Sequence, residues 1–600
     1  MNLFALGFPH MMAYWLDKRW VQNTVLLALA GLMVWYWGFV FEFGYDFEWS
    51  VLYKFNETYG MHLGLELLKG LGLTIKITLV SSFLALLLGT FFGLGRLSKF
   101  KPLRWTSNAY VEFFRNTPLL VQLFFWYFAM PLALPEAARE FAYAQDFEFW
   151  TATIGLSIYT GSFMAEVIRA GLQSIPKGLL EAAYSSGLSY FQVLTRIILP
   201  LAFRVIIPPL GSEFLNNMKN SSLAMVVGVA ELCWQSQQVE SLTFRGFEAT
   251  TAATILYLSL SLTISLVLNS VNVRLRSLEH RPRNRVLRTL HILFSPLGRL
   301  RRASRQSTPI PAQASLRLSP GAAFMRRLGR ILAGLGIPAA KIGFVAILGY
   351  LLLQVAQGVA SFNWQVIADN FRTLLIWRFP QGDETELFLG LGGLSFSILM
   401  SFIAITVSFF IGLVVGLARA SKNRLFSLPA TLYIECIRGT PLIMVIFWTY
   451  FFLPAFTGSY LNVFWSATIA LTVFTGAYLA EIVRSGIQNI PPGQVEAACS
   501  TGLSYSQTMR KIVLPQALKQ MIPAIVGQFI AIFKDTSLAY VIGVLELTFV
   551  AQGLINRLMV YPFEIYSSVA ALYFICCYSM SIVAGRLERR LSPDQVRLEM

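Results

Sequence analysis

Long apolar runs separated by short polar stretches make up most of this 600-residue sequence. A run of about 20 residues is long enough for a helix to cross roughly 30 Å of hydrocarbon. Such runs must be helical in lipid, because every backbone amide needs an internal partner there. The pattern therefore predicts an all-α integral membrane protein with six spans in each half. The predicted spans are 21–41, 71–95, 108–130, 150–170, 201–228 and 250–270, then 331–356, 388–418, 430–453, 464–483, 517–543 and 565–585.

The chain is an internal duplication. Residues 181–200 read EAAYSSGLSYFQVLTRIILP and residues 496–515 read EAACSTGLSYSQTMRKIVLP, so both fit E-A-A-x3-G-x9-I-x-L-P. The RNTP phrase at 115–118 likewise matches RGTP at 438–441. Six spans in each half is an even number, so the two halves are predicted to be parallel rather than inverted.

Composition and charge agree with a membrane protein. Hydrophobic residues make up 56% of the chain, charged residues 13%, and mean hydropathy is +0.59. The net charge is +17, and the stretch 274–330, with fourteen arginines and one acid, accounts for +13 of it. Basic residues beside spans follow the positive-inside rule, so nucleic-acid binding is not predicted. Five cysteines and four histidines show no metal-ligand spacing, so no metal site is predicted either.

Loop charges also assign an orientation. Basic residues follow the second, fourth and sixth predicted spans of the first half, and acidic residues follow its first and third spans. In the second half, acidic residues follow the first predicted span and arginines follow the sixth. By the positive-inside rule, both termini and both EAA phrases then face the cytoplasm.

Each EAA phrase predicts two short helices joined by a turn. Glycine provides the break where a side chain would be costly, and Ser189 is a suitable N-cap for the helix that follows. A short helix outside the bilayer suits docking into a groove on a partner, although one copy alone could equally be an interfacial anchor. Two copies with the same spacing favour docking. The candidate docking residues are Glu181, Ala182, Ala183, Gly187, Glu496, Ala497, Ala498 and Gly502.

These phrases resemble the EAA motif of the transmembrane subunits of ABC importers. The segments GSFMAEVIRAGLQSIPKG (161–178) and KNSSLAMVVGVAEL (219–232) are similar to the polar amino acid permeases in particular, as are their second-half counterparts. The resemblance implies a bacterial inner membrane permease that is not itself an enzyme. Permeases of this family are usually separate chains with five spans each, whereas here two five-helix cores are fused and each is preceded by one additional leading helix. It also implies two separate ABC ATPase subunits docked on the EAA loops and a periplasmic or surface amino acid-binding protein. No G-x4-G-K-[ST] phrase occurs in the chain, so ATP and magnesium would be bound by those partners.

The duplication and the resemblance together predict a domain plan. The predicted segments are a leading helix with an external segment (1–64), a first permease domain (65–275), a basic cytoplasmic linker (276–330), a second leading helix with an external segment (331–384), a second permease domain (385–590) and a C-terminal tail (591–600). Fusion suggests that one chain forms the whole pathway, although two fused chains pairing into a larger assembly is the alternative.

Charged residues inside predicted spans are candidates for function, because burying charge in a membrane is costly. The substrate-pathway candidates are Lys219, Asn220, Ser221, Lys534, Asp535 and Thr536. Asp535 could bind the ammonium group of an amino acid, and lysine or hydroxyl groups its carboxylate. The alternative is a Lys534–Asp535 or cross-half ion pair that fixes helix packing. Gate or support candidates are Arg115, Arg438, Glu166, Arg169, Glu481 and Arg484, of which the last four are spaced three apart for pairing on a helix.

The function predicted from this resemblance is ATP-driven import of polar amino acids, with glutamate, aspartate or glutamine favoured. The alternative is an ion-coupled secondary amino acid transporter, in which Lys76, Glu112, Glu213 and Asp535 could carry protons. Paired docking phrases have no role in that class, which favours the importer.

Overall fold

The structure is a computed structural model that describes residues 19–41, 44–276, 320–378, 391–457 and 461–591. The chain forms two compact units. One comprises residues 1–266 and 363–600, and the other comprises residues 267–362. Most of the predicted basic linker and nearly all of the predicted C-terminal tail lie outside the described residues.

Helices make up nearly all of the described first half. They are α1 (Arg19–Trp35, continued by a π-helical turn at Tyr36–Val40), α2 (Ser50–Tyr53), α3 (Leu63–Arg96), α4 (Lys101–Arg115), α5 (Leu119–Phe124, continued by a π-helical turn at Phe125–Ala129), α6 (Met130–Ala133), α7 (Glu136–Tyr143), α8 (Phe147–Gln173), α9 (Lys177–Ser185), α10 (Tyr190–Val193, with a π-helical turn at Leu194–Ile198), α11 (Leu199–Asn220, continued by a 3-10 segment at Ser221–Val227), α12 (Leu232–Thr243) and α13 (Gly246–Arg276).

The second half repeats this order. Its helices are α14 (Pro320–Ser361), α15 (Gln365–Leu375), α16 (Leu394–Ala420), α17 (Arg424–Gly439), α18 (Leu442–Thr457), α19 (Val463–Gln488), α20 (Pro492–Ser500), α21 (Tyr505–Thr508, with a π-helical turn at Met509–Val513), α22 (Leu514–Asp535, continued by a 3-10 segment at Thr536–Ile542), α23 (Leu547–Leu558) and α24 (Pro562–Leu591). Two antiparallel segments of two residues each, β1 (Trp377–Arg378) and β2 (Leu391–Gly392), lie between α15 and α16.

The predicted all-α membrane fold in two repeated halves is confirmed. Among the described residues, nine helices are long and apolar enough to cross a membrane, or ten if one bent pair is counted as a single span. The difference from the twelve predicted spans has two causes. Helix α8 contains many Thr, Ser and Gly residues that lower its hydropathy. The predicted third span of each half is broken, as described next.

The break falls at the repeated Thr-Pro step. In the second half, α17 ends at Gly439, α18 begins at Leu442, and the two helices are bent by 111°. In the first half, α4 ends at Arg115 and α5 begins at Leu119. Proline disfavours helical geometry in the residue before it, so 108–130 and 430–453 each form two helices rather than the single span predicted.

Close helix packing holds each half together. Helix α3 packs along α8, and α16 packs along α19 in the same way. A Cβ built on Gly89 would lie only 2.7 Å from Cβ of Met164, and one on Gly412 only 2.5 Å from Cβ of Leu479. Both positions therefore require glycine, because any side chain would force the helices apart.

A buried glutamate in each half fixes the chain after the 3-10 segment. Glu231 accepts hydrogen bonds from the backbone N–H of Trp234 (3.0 Å) and the hydroxyl of Tyr257. Glu546, its equivalent 315 residues later, accepts from the N–H of Phe549 (3.0 Å) and the hydroxyl of Tyr573 (3.0 Å). These carboxylates cap α12 and α23 and hold them against the last helix of each half.

Candidate functional site

A cavity of about 320 Å³ lies between the two halves and is lined by residues of both. Its polar lining includes Glu213, Asn216, Lys219, Asn220, Lys534 and Asp535. Four of these six are predicted pathway residues. The fold therefore brings the KNSS phrase (219–222) and its second-half counterpart KDTS (534–537) together around one cavity.

Both lysines bind the backbone of the opposite half. The ammonium group of Lys219 donates to the carbonyl oxygen of Arg438 (3.1 Å) and to the hydroxyl of Tyr478 (3.1 Å). The ammonium group of Lys534 donates to the carbonyl oxygen of Arg115 (2.8 Å). The two acceptor carbonyls, those of Arg438 and Arg115, each lie in the last turn of a helix that ends at a Thr-Pro step. Carbonyls there lack intrahelical donors and carry partial negative charge. The lysines therefore join the halves through carbonyl groups rather than through an ion pair.

Arginine and lysine share an aromatic ring in each half. The guanidinium of Arg115 lies 5.3 Å from the centre of the Phe163 ring, and the ammonium of Lys534 lies 5.6 Å from it. In the other half, Arg438 and Lys219 lie 5.0 Å and 5.8 Å from the Tyr478 ring. Cation–π attraction at these distances steadies the cations. The predicted gate arginines thus lie beside the cavity, on its EAA side.

The two acidic residues of the cavity come from different halves and occupy positions that are not equivalent in the repeat. Glu213 and Asp535 both line it, and at the repeat-equivalent positions the chain has Gln528 and Asn220. At these two pairs of equivalent positions, each half therefore supplies one carboxylate and one amide, in opposite order along its helix. From the sequence, Glu213 was a candidate only as a proton carrier. Its spacing of seven residues from Asn220, two helical turns, already places both on one face of α11.

The predicted hydroxyl residues lie behind the cavity wall. Ser221 and Thr536 are fully buried and donate to carbonyl oxygens three residues earlier, those of Met218 (2.7 Å) and Phe533 (2.8 Å). The residues that line the cavity are instead the next serines, Ser222 and Ser537. The 3-10 turn therefore decides which hydroxyl of each phrase faces the cavity.

The predicted ion pairs at the EAA end of α8 and α19 are present. Arg169 and Arg484 each contact the glutamate three residues earlier through two nitrogens, with Nε distances of 3.1 Å to Glu166 and 2.9 Å to Glu481. Arg96, at the end of α3, was not among the predicted candidates, and it contacts Glu166 (2.6 Å). These contacts stabilise the ends of the helices that lead into α9 and α20.

Both EAA phrases form the predicted helix–turn–helix. Gly187 and Gly502 lie in the turns with φ of +78° and +82°, a conformation that favours glycine. Ser189 caps the following helix in a capping box, and Ser504 does the same in the second copy. The EAA residues divide between two faces. Glu181, Ala182, Glu496 and Ala497 are exposed, whereas Ala183 and Ala498 are buried against the protein.

Comparisons with known proteins agree with this architecture. The family described as "Binding-protein-dependent transport system inner membrane component" matches residues 85–277 and 408–593. The chain is 46% identical over 201 residues to the Bacillus subtilis (strain 168) protein named "Probable glutamine ABC transporter permease protein GlnP", covering 33% of this chain and 91% of that protein. It is 32% identical over 238 residues to the Escherichia coli (strain K12) "Glutamate/aspartate import permease protein GltJ", covering 38% of this chain and 96% of that protein.

Among solved structures, a chain titled "Crystal structure of an amino acid ABC transporter with histidines" is 37% identical, with a TM-score of 0.32. That match covers 33% of this chain and 92% of the other. The two permeases from Bacillus subtilis and Escherichia coli are therefore matched over nearly their whole length by 33% and 38% of this chain, respectively.

Proposed function

Because the chain belongs to the family of inner membrane components of binding-protein-dependent transport systems, in two fused copies, we propose that it is the complete permease of an ATP-driven importer of polar amino acids. The observation that carries this proposal is the cavity between the two family domains, which both halves line with carboxylate, amide and ammonium groups. Glutamate, aspartate or glutamine is the favoured substrate group. The names of the similar permeases from Bacillus subtilis and Escherichia coli support that preference.

In this proposal the cavity binds both charged ends of an amino acid. Asp535 or Glu213 accepts hydrogen bonds from the substrate ammonium group. Lys219, whose side chain is only partly buried, donates its remaining N–H to the substrate carboxylate, and Asn220 lies next to it in the chain. Paired, charge-assisted hydrogen bonds of this kind compensate for removing both charged groups from water.

Separate ATPase subunits supply the energy in this proposal. Two of them dock on the exposed faces of α9 and α20, where Glu181 and Glu496 point away from the protein. They bind ATP and magnesium, and their closure draws the two EAA loops together. Movement of the loops is transmitted through the ion pairs at the ends of α8 and α19 to Arg115 and Arg438, and from them to the two cavity lysines. A soluble binding protein delivers substrate on the opposite face.

The test is reconstitution of the full chain in proteoliposomes with its ATPase and binding protein, followed by uptake of labelled glutamate, aspartate and glutamine. We expect uptake that requires ATP and the binding protein, and about two ATPase subunits per chain. Glu181→Lys combined with Glu496→Lys should abolish ATPase docking, whereas Gly178→Ala with Gly493→Ala, at exposed and unobstructed positions of the same helices, should not. Uptake driven by an ion gradient without ATP would instead establish the secondary transporter.

A further inference from the structure

Two large apolar residues occupy strained backbone at equivalent places in the repeat. Phe244 has a φ of +56° and Met559 a φ of +60°. They are two of the three non-glycine residues with positive φ among the residues that the structure describes, and 315 positions separate them. Each follows a short helix, α12 or α23, and precedes the last helix of its half.

Both side chains are almost fully exposed. The exposed fraction is 83% for Phe244 and 85% for Met559. Apart from asparagine and aspartate, L-residues rarely adopt this conformation, because Cβ lies close to the carbonyl oxygen. Glycine adopts it readily because it has no Cβ. Each tip therefore carries conformational strain, and the exposed apolar side chain gains nothing from burial in return. Strain of this kind persists where it serves a function.

The tips lie at the end of the molecule opposite the EAA helices. Tyr59, which precedes α3, donates to the carbonyl of Leu242 (2.9 Å), and α3 then runs to Arg96 beside the EAA-end ion pairs. Loop charges assign this end to the external side. The residue after Phe244, Arg245, contacts Glu48 (2.8 Å), so a charged pair lies beside this tip.

The tips also flank the seam between the halves. Three residues after Phe244, Phe247 packs against Phe452 of the other half, with ring centres 5.7 Å apart. Phe563, near Met559, packs against Phe125 at 5.6 Å. The helices that contain these partners, α18 and α5 with its π-helical turn, begin with residues that line the cavity. A protein bound across both tips would therefore cover the external end of the pathway.

We infer that Phe244 and Met559 are the anchor contacts for the soluble binding protein, each inserting into an apolar pocket on that partner. The inference rests on the proposed function, which supplies a binding protein on this face. A small number of large side chains commonly dominates the binding energy of such an interface. Because one tip is Phe and the other Met, the two contacts are unequal and favour one orientation of the binding protein on the fused chain.

The test uses Phe244→Gly and Met559→Gly, because glycine suits the observed φ and removes only the side chain. The full chain, assembled with its ATPase in lipid nanodiscs, is titrated with the purified binding protein that supports uptake in the reconstituted system. We expect each variant to bind that protein about tenfold more weakly, as is typical of a lost anchor residue, with an unchanged basal ATPase rate and a melting temperature no lower than that of the wild type, because glycine removes the backbone strain. The matched control is Phe141→Ala, on the external helix α7 and 69% exposed, which should bind as the wild type does.

Wild-type affinity in both glycine variants would overturn the inference and leave the proposed function intact. A lowered melting temperature with unchanged affinity would also overturn it, and would assign the tips to anchoring at the bilayer surface. If the wild-type chain itself takes up substrate without a binding protein, the proposed function fails and this inference fails with it. Recovery of affinity in Phe244→Leu, which restores an apolar side chain, would support the anchor role.

Discussion

At the scale of single residues, Lys219 and Lys534 each donate a hydrogen bond to a backbone carbonyl of the opposite half. Both lysines were candidates from the sequence because burying charge in a membrane is costly. Their partners could not be predicted, because backbone carbonyls have no sequence signature and lie more than 200 residues away. Glu213 was recognisable from helical spacing, but only the structure shows that it shares a cavity with Asp535.

We predict that Lys534→Met destabilises the protein more than Lys219→Met. Lys534 is only 8% exposed, and its removal leaves the carbonyl of Arg115 without this donor and Asp535 without its neighbouring positive charge. Hydrogen bonds to charged groups contribute about 1.5–3 kcal/mol. Thermal unfolding in detergent measures the difference. Lys219, partly open to the cavity, should lose uptake with a smaller change in melting temperature. Equal destabilisation by both changes would contradict this assignment.

At the scale of elements, the EAA turns depend on backbone conformation alone. A Cβ on Gly187 or Gly502 would meet nothing within 4 Å, so only the positive φ disfavours a side chain there. We predict that Gly187→Val with Gly502→Val costs about 1–2 kcal/mol at each turn and reorients the helices that follow. ATPase activity stimulated by the binding protein should fall while the purified ATPase alone is unaffected. The control is Gly178→Ala with Gly493→Ala, and equal loss in that control would refute the turn as the cause.

Elements were predicted correctly where the apolar pattern and the Gly and Ser signals for turns and caps indicate the same boundaries. The apolar runs predicted most of the spans, and Gly and Ser predicted the EAA turn and its cap. The third span of each half was predicted as one continuous helix, although the Thr-Pro step within it disfavours helical geometry at the residue before proline. Hydropathy alone assigns a continuous apolar run to one span. The break in the helix leaves the carbonyls of Arg115 and Arg438 free to accept hydrogen bonds from Lys534 and Lys219, respectively. The break therefore serves the candidate site directly.

At the scale of the whole molecule, the duplication is longer than the two cores. Phe47-Glu48-Trp49 matches Phe362-Asn363-Trp364 at the same offset of 315. The backbone N–H of Glu48 donates to Glu248 (2.6 Å), and that of Asn363 donates to Glu564 (3.0 Å). Each of these segments thus donates a backbone hydrogen bond to a buried glutamate at the start of the last helix of its own half.

The first leading helix also connects the two halves. Gln22 is buried on α1, and its side-chain oxygen accepts from the backbone N–H of Arg424 (3.1 Å) at the start of α17 in the second half. Arg424 donates in turn to the side chain of Asn23 (3.2 Å). Together with the lysine–carbonyl contacts and the aromatic packing of Phe247, this contact forms an interface between the halves that is independent of the covalent linker.

We therefore predict that the halves stay assembled after the linker is cut. A protease site replacing residues 307–313, which lie outside the described residues, would allow cleavage of the folded protein in detergent. Both fragments should co-elute in size-exclusion chromatography and retain uptake after reconstitution. Gln22→Ala should weaken this association only slightly, because one hydrogen bond between membrane helices contributes about 0.6 kcal/mol. Lys219→Met with Lys534→Met should weaken it more. Separation of the wild-type fragments on cleavage would mean that the fusion itself holds the two halves together.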